Sequence, residues 1–335
     1  MGNKTIREIA AIAGVSVSTV SKVLNNKSDV GQATRDRVLD VVGRYNYRRR
    51  VSAVKGRLIG VFFPFRETQR LSTPYTSNLV FGAADYLLQL DYRLELISVF
   101  SVPRTPREFL SYCTQANIQA ALFVLSTVED VYIGELARSM PVVATALSAP
   151  GTPATTVCYD AYAACTDAVA HLVSLGHRRI GFLCEDQVHR DQILRYRSFC
   201  DSMADVDPDY HPPVLLDVAH GAHTDIGHFL EHALRGTDAP TAFVASNDLT
   251  AMRVLDALDS MGVSVPEQIS LVGFDDLPFA RHLRPPLTTV SQPTHDIGEL
   301  AAAEIHRQLS GDLTQQGQEI LLRGALIVRG STTTA

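Results

Sequence analysis

From Leu58 onward, short apolar runs alternate with longer stretches whose apolar residues recur at helical spacing, and the alternation occurs twice. The first round reads as strands from Leu58 to Phe63, Arg93 to Val99, Ala120 to Leu125 and Val142 to Thr145. A helix from about Thr76 to Leu90 lies between the first two. The second round reads as strands from Arg179 to Cys184, Val214 to Leu216, Ala242 to Ala245 and Ile269 to Phe274. Parallel strands need long crossovers, which helices supply, so this pattern implies parallel sheets covered on both faces. Two such units in series predict two lobes. Ligands of open parallel sheets bind beyond the carboxyl ends of the strands.

Polar residues gather at those ends. Ser246-Asn247-Asp248 follows one strand, Asp275-Asp276 another, and Asp160 follows the apolar stretch Thr156 to Tyr159. Gln292 lies just past Leu287 to Val290, which reads as a strand crossing between lobes. Arg195 falls on the helix after Cys184 and offers a planar fork of donors. Carboxylates, amides and a guanidinium converging on one edge suit a polyhydroxylated ligand. Asn247 and Asp275 are also good helix N-caps, so a purely structural role is open for each.

The first 47 residues follow a different pattern. Thr5-x-x-Glu8 is a capping box. Ile6, Ile9, Ala10 and Ala13 recur on one helical face, Gly14 supplies a turn, and Ser16 caps a second helix. Val20, Val23 and Leu24 form the buried face of that helix, leaving Val17, Ser18, Ser21 and Lys22 outward. A third helix from about Gln32 to Tyr45 carries Val38, Val41, Val42 and Tyr45 as its core stripe. This pattern predicts an all-α helix-turn-helix head, whose second helix would enter the DNA major groove. Val17 can touch a thymine methyl, Ser18 can donate or accept, and Lys22 can donate to guanine. Thr5, Ser16, Thr19, Ser21, Asn25 and Thr34 are short polar groups suited to the DNA backbone. The same layout also serves three-helix protein-interaction modules.

Charge is divided unevenly between the two parts of the chain. Residues 1–57 carry 12 Lys and Arg against 4 Asp and Glu, a net +8; the remainder carries 18 against 32, a net -14. A basic head on an acidic body implies a polyanion at one end only. With 335 residues, 46% of them hydrophobic, the chain can bury cores for two or three domains. It shows no apolar run of membrane-spanning length and no apolar N-terminal signal region, so a cytoplasmic protein is expected. The five cysteines lack C-x-x-C spacing and fit reduced, buried thiols.

Gly14-Val-Ser-Val-Ser-Thr-Val-Ser-Lys-Val-Leu-Asn25, Ala33-Thr-Arg-Asp-Arg-Val-Leu39 and Tyr45-Asn-Tyr47 resemble the head of the LacI/GalR family of bacterial transcription regulators. Leu175-Gly-His-Arg-Arg-Ile-Gly-Phe, Ser246-Asn-Asp-Leu-Thr-Ala, Val265-Pro-Glu-Gln-Ile-Ser-Leu-Val-Gly-Phe-Asp-Asp, Pro285-Pro-Leu-Thr-Thr-Val and Val328-Arg-Gly-Ser331 are similar to that family's effector domain. The resemblance implies a two-lobed α/β domain with parallel sheets, like periplasmic (type I) sugar-binding proteins. It implies base reading by Val17, Ser18 and Lys22, with Tyr47 near the DNA backbone. Implied effector contacts are Asp160, Arg195, Asn247, Asp275 and Gln292, with Phe65 and Tyr75 in the loop where the family often stacks an aromatic on a sugar.

The implied organisation is a DNA-binding domain over 1–47, a linker over 48–57 and an effector domain over 58–335. One lobe would hold about 58–157 and 291–318, the other about 158–290 and 319–335. The expected partners are near-palindromic double-stranded operator DNA, a small effector such as a sugar, and a second copy of the chain in a homodimer. No cofactor, metal or membrane partner is expected, and no enzymatic activity. A carbohydrate-acting enzyme and a purine-responsive regulator are the alternatives. The linker departs from the family: Arg48-Arg49-Arg50-Val-Ser-Ala-Val-Lys-Gly-Arg57 is several residues short and lacks the usual proline and leucine. It favours phosphate contact over a full hinge helix that wedges the minor groove.

Two further clusters bear on chemistry. His228 and His232 are four residues apart, with His220, His223 and Glu231 nearby, which is a zinc-like spacing or simply a polar surface. Asp186, His189 and Asp191 near Arg190 lack a nucleophile and read as a solvated helix start.

Overall fold

The computed structural model describes residues 6–24, 30–44, 57–64, 74–103, 105–125, 132–145, 154–184, 190–216, 225–311 and 317–335. The chain forms two compact units, Met1–Gly56 and Arg57–Ala335.

Among its described residues the first unit holds three helices, α1 (Ile6–Ala13), α2 (Val17–Leu24) and α3 (Gln32–Arg44). Gly14 has φ +65, a left-handed conformation that lets the chain reverse between α1 and α2 without a Cβ penalty. The Ser16 hydroxyl then accepts from the Thr19 amide at 3.1 Å, satisfying one of the free donors at the start of α2. Ile9, Ala10, Ala13, Val20, Val23, Val38 and Val41 enclose one small core. Val17 is 41% exposed, and Ser18 and Lys22 are exposed beside it. So small a core has little in reserve: Ser16→Ala is expected to cost the unit about 1 kcal/mol, read as a lower melting temperature. Thr5, Asn25, Tyr47 and Arg48 to Arg50, together with the side chains of Ile6, Ser21 and Leu24, lie outside the described residues.

The second unit contains two six-stranded sheets. In chain order its elements begin β1 (Leu58–Phe63), α4 (Pro74–Gln89), β2 (Arg93–Ser98), α5 (Pro106–Ala116), β3 (Ile118–Phe123), α6 (Tyr132–Leu136), β4 (Val142–Thr145) and β5 (Thr155–Tyr159). They continue α7 (Ala161–Ser174), β6 (Ile180–Cys184), α8 (Arg190–Val206), β7 (Val214–Leu216), α9 (Ile226–Ala233), β8 (Ala242–Ala245), α10 (Asp248–Ser260) and β9 (Ser270–Asp275). The last elements are β10 (Thr288–Ser291), α11 (Thr294–Leu309), β11 (Glu319–Leu322) and β12 (Ala325–Ile327). The sheet orders are β11-β5-β4-β3-β1-β2 and β12-β10-β9-β8-β6-β7. Pairing is parallel throughout except between β10 and β12. β6 and β8 are unbroken runs of buried apolar residues, and β5 is buried along its whole length, as strands covered on both faces require. Among the described residues no helix is long and apolar enough to cross a membrane.

The lobe limits differ from those the sequence implies. β5 belongs to the first sheet as far as Tyr159, Ser291 still pairs within the second, and β11 joins the first sheet rather than the second. The register Ile320↔Val157 and Leu322↔Tyr159 explains β11: Ile320 and Leu322 pack against the core beside β5. The final crossing therefore falls at Arg323-Gly324, between β11 and β12.

Helices α4 and α11 meet at two glycines. A Cβ on Gly82 would overlap the carbonyl oxygen of His295, and one on Gly298 would overlap that of Leu79. The helix backbones are in direct contact there, which fixes α4 and the Tyr75 at its start.

Candidate effector-binding site

The site is built around Arg195 on α8, whose side chain is 2% exposed. Its guanidinium carbon lies 4.6 Å from the Phe274 ring centre and 5.5 Å from that of Tyr159, so aromatic faces cover it from both sheets. Nη1 donates to the Ser246 carbonyl, and Nη2 lies 3.9 Å from Asp275 Oδ1. Gln292 donates through Nε2 to the same carboxylate oxygen. Phe274 and Asp275 end β9, Ser246 follows β8, Tyr159 ends β5, and Gln292 follows β10. The group therefore gathers at the carboxyl ends of strands from both sheets.

Asp275 has φ +107 and Asp276 φ +49, conformations that non-glycine residues adopt at a cost. Asp248, fully buried at the start of α10, holds this turn. Its Oδ2 accepts from the Leu277 amide at 2.7 Å and its Oδ1 from the Thr289 hydroxyl at 2.6 Å. Arg329 ties the other side, donating to Asp276 Oδ1 at 2.6 Å. The strain thus aims the Asp275 carboxylate at Arg195 and Gln292.

Burial raises the Asp275 carboxyl to about 6, although Arg195 and the Gln292 hydrogen bond pull it down. Burial raises Asp248 to about 7 against its two hydrogen bonds, with Asp275 and Asp276 adding repulsion. Burial opposes the charge on Arg195, yet Tyr159, Asp275 and Asp191 together hold its pKa above the ordinary value. The Tyr75 hydroxyl is pushed well up by burial, then by Asp191 and Asp275, which places this residue of α4 in the same electrostatic field.

A carboxyl raised on folding contributes stability that is full below its unfolded pKa near 4 and is lost as pH rises through the folded value. Asp248 and Asp275 therefore stabilise the body as pH falls from about 8 to 5. His177 and His171, lowered by burial, act in the opposite sense. Asp248→Asn is expected to remove the larger carboxyl contribution, on the order of a few kcal/mol. Urea unfolding at pH 5.5 and 8 measures it. An unchanged pH slope in that variant would contradict the burial of a titrating Asp248.

Several buried polar atoms have no hydrogen-bond partner among the described residues: Tyr159 Oη, Arg195 Nε, Ser246 Oγ and Gln292 Oε1. Native interiors rarely leave such atoms unpaired. All four belong to Arg195 itself or to residues at the strand ends beside it.

The residues expected at the site divide into three sets. Arg195, Asp275 and Gln292 come together directly, and Tyr75 shares their field. Asp160 and Asn247 stand at the same sheet edges but act as helix caps, accepting from the Ala163 and Thr250 amides at 3.0 and 2.8 Å. Phe65 lies outside the described residues. Sequence reasoning missed Tyr159 and Phe274, noted Ser246 at a strand end without giving it a ligand contact, and read Asp191 as solvated. Asp191 is 7% exposed. Its spacing of four from Arg195 on one helix was the available signal.

Among the described residues the other clusters do not bring their expected donors together. Glu231 lies 3.7 Å from Arg235, and His220 and His223 lie outside the described residues. Among the described residues the three-donor group is instead His295, Asp296 and Glu299, all exposed at the start of α11.

Comparison with known proteins agrees with this architecture. Residues 5–50 match the family described as "Bacterial regulatory proteins, lacI family", and residues 169–332 match "Periplasmic binding protein-like domain". The chain is 26% identical over 348 residues to the HTH-type transcriptional regulator DegA of Bacillus subtilis (strain 168), covering 98% of each. A transcriptional regulator CelR–cellobiose complex aligns with TM-score 0.70 and 23% identity, over 98% of this chain and 100% of that one. The lac repressor dimer bound to operator and the anti-inducer ONPF aligns with TM-score 0.70 and 22% identity, over 99% and 100%. Similarity at this level to the two solved structures establishes the shared fold.

Proposed function

We propose that the chain, whose head matches the lacI family of bacterial regulatory proteins and whose relatives are transcriptional regulators, is itself a DNA-binding, ligand-controlled repressor rather than an enzyme. In this reading it works in the cytoplasm as a homodimer on a near-palindromic operator, and a sugar or sugar derivative between the lobes sets its operator affinity. The carrying observation is the group of unpartnered buried polar atoms around Arg195. Hydroxyl groups donate and accept at once, so a polyol can satisfy Gln292 Oε1, Ser246 Oγ, Tyr159 Oη and Arg195 Nε together. The CelR–cellobiose complex supports the sugar class, and the operator-bound lac repressor dimer supports the assembly. A ligand that prefers one lobe arrangement shifts the population of that arrangement, and with it the grip on DNA.

A thermal-shift screen of sugars, sugar phosphates and purines tests the ligand. A sugar hit that Asp275→Asn abolishes supports the reading, and a purine hit replaces it. Mobility shift on genomic fragments tests the DNA side. Lys22→Glu with Val17→Ser is expected to lower target affinity at least about tenfold, since each base contact is worth roughly 1–3 kcal/mol of discrimination. Replacing Arg48, Arg49 and Arg50 by alanine is expected to flatten the log–log salt slope by about 2 to 3. An unchanged slope would remove the linker from the DNA contact.

A further inference from the structure

Helix α8 carries Arg195, and Asp191 one turn before it, on the second lobe, and its first residue reaches to the other lobe. Arg190 Nη2 lies 2.5 Å from Oε1 of Glu319, the first residue of β11. The Arg190 side chain is 13% exposed and that of Glu319 39%. β11 is an edge strand of the first sheet, and Leu322 pairs with Tyr159, so the strand adjoins the wall that covers Arg195. The ion pair thus joins the helix that carries Arg195 to the strand beside the one whose Tyr159 covers it.

Glu319 also stands at a distance from the chain crossings. Five residues of extended chain separate it from Gly324, roughly 16 Å. A rotation of one lobe about the crossings moves that point by several ångströms. A charge-assisted hydrogen bond does not survive such a displacement.

We propose that Arg190 and Glu319 form a latch that holds the lobes together before any ligand arrives. The latch biases the ligand-free chain toward the closed arrangement, and the effector then stabilises what is already populated. Its consequence for operator binding rests on the two-lobe reading above; its existence does not, and the test uses neither ligand nor DNA.

Spin labels on Gln115→Cys and Glu267→Cys, both exposed and one on each lobe, report the interlobe distance by electron–electron resonance. The experiment uses the full chain carrying Cys200→Ser, diluted into unlabelled protein. Glu319→Gln is expected to increase the population at longer distance roughly two- to fivefold, the scale of a partly exposed ion pair. Raising salt to about 1 M, where the screening length is about 3 Å, is expected to move the parent the same way. The charge swap R190E/E319R is expected to restore the parent distribution. Coinciding distributions for E319Q and parent overturn the latch, as does a parent indifferent to salt.

Discussion

Arg195→Met is expected to abolish the thermal shift produced by any ligand that stabilises the parent, and to destabilise the second unit. The side chain is buried against Phe274 and Tyr159, donates to the Ser246 carbonyl and faces Asp275. Methionine fills most of the volume but supplies no donor. The Ser246 carbonyl loses a partner, and Asp275 is left near Asp191 without its counter-charge. Breaking a buried pair from one side costs about 3–5 kcal/mol. Protonation offers Asp275 an escape, since its carboxyl is already raised to about 6. The loss should accordingly be larger at pH 8 than at pH 5.5. Arg195→Lys keeps the charge but not the planar fork, so it should lose ligand response more than stability. Urea unfolding at both pH values, paired with ligand melts, separates the two quantities. An Arg195→Met chain as stable and as responsive as the parent would remove Arg195 from the centre of the site.

Gly298→Ala is expected to produce the second large effect. Overpacking a core ordinarily costs about 1–3 kcal/mol, because neighbouring side chains shift to accommodate the added atoms. Here the obstacle is the Leu79 carbonyl, and Gly82 faces that of His295 in the same way. Backbone yields only if α4 and α11 separate along their length. That separation would loosen Leu79, Ala83, Ile297 and Ala301, all buried between them. The cost should reach the upper end of the range or exceed it. Because the two glycines share one contact, the double alanine variant should cost less than the sum of the singles. Tyr75 begins α4, so ligand response should fall with stability. Asn78→Ala, on the exposed face of the same helix, is the control. A denaturation midpoint for Gly298→Ala equal to that of Asn78→Ala would contradict the backbone contact.

Local chemistry made much of this architecture readable in the sequence. Gly14 and Ser16 announce a turn and a cap by residue type alone. Apart from β11 and β12, for which no strand was expected, the strands of both sheets stand within two residues of where the apolar runs place them, because a doubly covered strand has no polar face to confuse the pattern. Tertiary context decided what remained. Glu185 to Asp191 is polar enough to read as solvated, and only the docking of α8 buries Asp191. β11 and β12 are separated by two residues, too few to signal that the chain changes lobes between them. Asn247 and Asp275 have similar chemistry and similar positions after a strand. Only the left-handed backbone at Asp275, held by Asp248, shows that one serves as a cap and the other points to Arg195.

The two sheets share a feature that bears on synthesis. Each is completed by a strand from the last stretch of chain: β11 edges the first and β12 the second. Residues beyond β12 are also fastened inward, with the Leu271 amide donating to the Ser331 carbonyl and the Ala335 amide to that of Leu175. On a ribosome, β5 and β10 would emerge long before the partners that cover their edges. The nascent body must then wait with two open sheet margins exposed, a window in which edge-to-edge association between neighbouring chains competes with folding.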